Sequence, residues 1–66
     1  MTVARVSKIT AASKEGFQHA VETGLKRAAS TLHGLTGLEV LSQKAKIENG
    51  KITEYRVTME VTFILD

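Results

Sequence analysis

Asn49 and Gly50 sit between two long runs, LTGLEVLSQKAKIE and KITEYRVTMEVTFILD. Both central residues of a two-residue type I′ turn need positive φ, and Asn-Gly is the pair that tolerates it best. The dipeptide therefore predicts a tight β-hairpin with a defined register. In the second arm Thr53, Tyr55, Val57, Met59, Val61, Phe63 and Leu65 alternate with Glu54, Arg56, Thr58, Glu60, Thr62 and Ile64. Such period-two alternation marks a strand with one buried face. Counting outward from the turn, Glu48 faces Lys51, Gln43 faces Arg56, Val40 faces Met59, Glu39 faces Glu60, Leu38 faces Val61 and Gly37 faces Thr62. Leu38 and Val40 then share the face of Met59 and Val61, as a one-sided core demands.

Upstream, SKEGFQHAVETGLKRAASTLHG reads as an amphipathic helix. Phe17, Ala20, Val21, Gly24, Leu25, Ala28 and Leu32 recur at three- and four-residue spacing and build one apolar stripe. Ser13 is the expected N-cap, Glu15 the carboxylate at the positive end of the helix dipole, and Gly34 after His33 the left-handed terminator. Gly24 inside the stripe costs about 1 kcal/mol relative to Ala, so a strand is expected to approach there. VARVSKIT predicts a strand at about 3–10, although Val6 and Ile9 have opposite parity and a bulge is one way to reconcile them.

The element order is thus strand, helix, strand, strand, an α+β chain with a three-stranded antiparallel sheet. A right-handed crossover makes the first two strands run the same way, which places the third between them. One helix covers one face. The other, carrying Gly37, Glu39, Leu41, Gln43, Arg56, Thr58, Glu60 and Thr62, is expected to stay open.

With 66 residues the chain is expected to be one domain with a thin core, since a domain of this size buries only about 60% of its unfolded surface. It has no cysteine, so no disulfide framework compensates, and self-association is the expected remedy. A net charge of +2, spread along the chain, is too weak for nucleic-acid binding. No apolar run approaches the roughly 20 residues of a membrane span, and the N-terminal stretch has no apolar signal-peptide centre, so a cytoplasmic protein is expected.

The pattern resembles the dodecins, through ARVSKITAASKEGF leading into the helix, GLKRAASTLHGL closing it, LEV in the second strand and EYRVTMEVTFIL in the third. The resemblance runs nearly end to end. It implies a sheet curled around one helix and a homododecameric shell with ligand sites between subunits. It also implies flavin (riboflavin, FMN or FAD) as the associated ligand, and some members are described as binding calcium instead. In flavin-binding members a tryptophan after the helix stacks on the ring, a glutamine bonds its edge, and a basic residue often stands near the chain end. The matching positions here are Gly37, Arg56 and Ile64. Gln43 and Thr58 are expected as neighbours of that site. Stacking of this kind is worth about 1 to 3 kcal/mol, so its loss weakens binding by roughly tenfold to a hundredfold.

Other constellations are weaker. Glu39 and Glu60, facing each other with β-carbons about 5 Å apart, call for a calcium-like cation or for salt bridges to another subunit. His19 and His33 lie fourteen residues apart on the polar helix face and are expected in solvent. No acid and base partner is foreseen for Ser13. Without a phosphate loop, metal triad or catalytic pair, the expectation is a binding or structural protein and not an enzyme.

Overall fold

A computed structural model describes residues 2–65. The elements are β1 (Val3–Ser13), α1 (Phe17–Thr31), β2 (Leu35–Glu48) and β3 (Lys51–Leu65). The sheet is antiparallel with strand order β1-β3-β2, so the longest alternating strand is central, as the crossover rule predicts. Asn49 at φ 52° and Gly50 at φ 74° form the left-handed pair that the hairpin turn requires.

Among the described residues five apolar ones are buried, Ala20 and Ala28 from α1 with Val57, Met59 and Val61 from β3. Ile9, Ala11, Phe17, Val21 and Leu38 pack around their centre. Phe17 meets Tyr55 edge-on, with ring centroids 5.0 Å apart, which closes one rim of the core. Leu25 departs from the expected stripe and is 40% exposed. A Cβ on Gly24 would lie 2.9 Å from Met59 Cε and 3.1 Å from Ala11 Cβ. The missing side chain is therefore what lets α1 settle onto β3 and β1.

The first strand is longer than expected, reaching Ser13, and its pairing with β3 runs without a bulge from Val3 opposite Leu65 to Ser13 opposite Tyr55. Val6 and Ile9 are not reconciled. Ile9 lies opposite Met59 on the helix side, and Val6 lies opposite Thr62 on the open side, 52% exposed.

Helix boundaries also differ from the expectation. Gly16 occupies the N-cap position, so Ser13 is no cap and Glu15 precedes the first turn. Ser13 instead ends β1 and ties the corner: its Oγ accepts the Glu15 backbone N–H at 2.9 Å and lies 2.6 Å from His19 Nδ1. The helix ends at Thr31, while Gly34 at φ 73° is left-handed three residues later and accepts the Ile64 N–H at 3.0 Å.

The hairpin register holds at both ends and fails in the middle. Glu48 opposes Lys51 near the turn, and Val40, Glu39, Leu38 and Gly37 oppose Met59, Glu60, Val61 and Thr62 as expected. Between them, Gln43 opposes Val57 and Lys44 opposes Arg56. Thr53 is an extra residue on β3 and Leu41 an extra residue on β2, and these two bulges cancel; a third irregularity leaves Thr36 extra on β2 between Leu35, opposite Phe63, and Gly37. Alternation along β3 is untouched across the core, and β2 is displaced by one residue for the stretch between.

Candidate functional site

The face of the sheet away from α1 is built in rows across the strands. Val6, Thr62 and Gly37 form one row; Lys8, Glu60 and Glu39 the next; then Thr10, Thr58 and Ser42; then Ala12, Arg56 and Lys44. Each row follows from period two on β1 and β3 and from the bulge on β2.

Gly37 does face outward opposite Thr62, and a Cβ built there meets only Thr62 Cβ, at 3.9 Å. That is ordinary contact, so the chain itself leaves room for a side chain. Arg56 is exposed and its Nη2 donates to Glu54 Oε1 at 2.6 Å. Thr58 lies within 3.1 Å of Thr10 through their hydroxyls. Ile64 belongs to the same side of β3, half-buried opposite Ala4. Gln43 does not join them. Displaced by the bulge, it pairs with Val57 on the helix side, and Lys44 takes its place beside Arg56.

Glu39 and Glu60 are direct cross-strand partners, as the turn count implied. Lys8 stands opposite Glu60 on its other flank. Among the described residues, no three acidic, histidine or cysteine side chains group as a metal site.

The corner at Ser13 differs from the expectation of an N-cap without acid and base partners. Ser13 has both a base and an acid beside it: His19 Nδ1 at 2.6 Å, and Glu15, whose Oε2 lies 3.0 Å from His19 Nε2. His19 is therefore engaged, with half its side chain exposed, whereas His33 is exposed as expected. Ser13 is 8% exposed, and its hydroxyl serves the strand-to-helix corner. The i to i+6 spacing of Ser13 and His19 is the only sequence signal for this contact, and it became informative once the helix start was known.

A strand, a helix and a long hairpin whose sheet is covered on one face only define a class of small half-open α+β proteins. Within it, this chain belongs to the dodecin family, whose model, Dodecin, matches residues 3–66. A dodecin of Thermus thermophilus is 34% identical over 59 residues, 89% of this chain and 86% of the relative. The solved dodecin from Streptomyces davaonensis matches with a TM-score of 0.92 at 38% identity, over 98% of this chain and 96% of that one. A calcium-chelating antigen of Mycobacterium tuberculosis, called calcium dodecin, matches with a TM-score of 0.83 at 26% identity, over 97% and 91%.

The residues present do not fit a flavin held by stacking and a glutamine. All three aromatic residues, Phe17, Tyr55 and Phe63, lie on α1 or on the helix side of β3, and Arg56 offers donors with no acceptor. Calcium takes six to eight oxygens, so the Glu39–Glu60 pair completes a site only if other copies add ligands.

Proposed function

We propose that copies of this chain assemble through the open sheet face into a homododecameric cytoplasmic shell that binds or sequesters a small ligand at the contacts and catalyses no reaction. The observation that carries this reading is the half-covered sheet. α1 shields one face, while the other leaves Val6 52% exposed beside rows of charges and hydroxyls. Five buried apolar residues make a thin core for a chain of this size, and association is the usual remedy. The site proposed is the strip of Gly37, Arg56, Thr58 and Ile64, with Lys44 in place of Gln43. A second reading, favoured by the direct pairing of Glu39 with Glu60, is a shell in which a cation, calcium by analogy with the Mycobacterium relative, or another subunit's cations neutralise that pair.

Light scattering and riboflavin fluorescence test the first reading. The scattering mass should correspond to twelve chains of 7.2 kDa, and a stable folded monomer at micromolar concentration would refute the shell. The wild type should quench riboflavin weakly or not at all. Gly37→Trp with Arg56→Gln should quench it, because the space above Gly37 is free within the chain. An assembled double variant that ignores riboflavin would refute the placement of the site.

A further inference from the structure

β1 is an edge strand, paired with β3 on one side only. α1 packs against it, and residues of both elements line a groove of about 480 Å³. Ile9 and Ala11 from β1, with Gly24, Ala28 and Leu32 at the helix, give this groove an aliphatic floor. Arg27 lines it too, with Thr23 one turn before and Thr31 one turn after. The usual partner of a helix arginine is a carboxylate three or four residues away, yet Thr23, Gly24, Ser30 and Thr31 hold those places. Arg27 accordingly has no ion pair among the described residues, and no carboxylate lines the groove. A single uncompensated cation stands beside an apolar cleft.

We propose that this groove binds an aliphatic monocarboxylate, with Arg27 pairing the carboxylate and the alkyl chain lying along the floor. Small-molecule sites join a mostly apolar lining to a few polar groups that fix orientation, and this lining has that make-up. The guanidinium fork meets both oxygens of a carboxylate at once. One cation balances one negative charge, whereas a dianion would leave a charge unpaired against the apolar floor, which is costly. The volume is about sixteen times the ≈ 30 Å³ share of a water molecule, room for a chain of about ten carbons with its head group. No aromatic ring lines the groove, so an alkyl chain suits it better than a stacked ring. The groove lies on the helix side of β1, away from Gly37 and the open-face strip, and its occupancy is independent of what that strip holds.

Calorimetric titration of the assembled wild type decides it, with decanoate, octanoate, acetate and decanol as probes below the concentrations at which they form micelles. Decanoate should bind, and octanoate should bind about tenfold more weakly because two fewer methylenes leave water. Acetate should show no binding, and decanol, which keeps the chain and lacks the charge, should bind at least tenfold more weakly than decanoate. Arg27→Gln should lower decanoate affinity tenfold or more and leave decanol unchanged, while Lys26→Gln, outside the groove, should alter neither. Thr23→Trp, at an exposed position, should fill the groove and abolish both. Decanol binding as tightly as decanoate, or decanoate binding that is absent or survives both Arg27→Gln and Thr23→Trp, would overturn the proposal. Light scattering on the same samples reports the assembly separately. A folded Thr23→Trp chain that no longer assembles would assign the groove to a contact between copies and overturn the proposal as well.

Discussion

Gly24→Ala sets two effects of opposite sign against each other. Replacing a glycine inside a helix gains up to about 1 kcal/mol from backbone propensity. The added Cβ, however, would sit 2.9 Å from Met59 Cε and 3.1 Å from Ala11 Cβ. Met59 Cε ends a flexible side chain, but Met59 is fully buried among the core residues. Ala11 Cβ is anchored to the backbone of β1, so relief requires α1 to lift from the sheet. Overpacking of this kind costs about 1 to 3 kcal/mol, which outweighs the propensity gain. The net expectation is a loss of about 1 kcal/mol, or roughly 4–8 °C in Tm for a domain of this size. Calorimetry at fixed subunit concentration measures it, since association makes Tm concentration-dependent. Met59→Leu in the same background removes the contacting methyl and should recover part of the loss. A Gly24→Ala chain that melts above the wild type would show that α1 does not depend on this close approach.

Ser13→Ala leaves the Glu15 N–H and His19 Nδ1 without their partner and should cost about 1–3 kcal/mol in urea unfolding, with His19→Ala costing less because its ring is half exposed; equal, negligible effects would contradict the corner's role. Gly50→Ala meets no atom within 4 Å, so its loss of roughly 1–2 kcal/mol should come from the left-handed backbone alone, and an unchanged denaturation midpoint would argue against a type I′ turn. If Glu39 and Glu60 hold a cation, calcium at ten times its Kd should add about 1.4 kcal/mol to stability, and Glu60→Gln should abolish the gain. Melting curves that ignore both calcium and chelator would leave salt bridges between copies as the neutralising partners.

The facing of much of the candidate site was legible because its residues sit where the two bulges do not act. Gly37, Glu39 and Glu60 lie beyond Leu41, where the register counted from Asn49–Gly50 is restored. Arg56 and Thr58 keep their facing because β3 alternates without interruption across the core. Gln43 lies between the bulges, and its assignment failed with them. A bulge has no compulsory residue type, and neither Thr53 nor Leu41 announces one. The Ser13 hydroxyl was assigned to a helix cap because serine is a good cap, yet β1 outcompeted that choice by pairing through to Tyr55.

What the sequence determined by itself was everything carried by local periodicity and chirality. That covers the turn at Asn49–Gly50, the apolar stripe of α1, the alternation of β3 and the central place of that strand. These follow from short-range sterics and from the need to hide one apolar face, so they can be counted along the chain. Tertiary structure alone decided where β2 slips by one residue and back, which cation faces Arg56, and that Ser13, Glu15 and His19 meet at one corner. Those outcomes depend on how a twisted sheet fits its helix over many residues at once. No single residue's preference is large enough to reveal that balance.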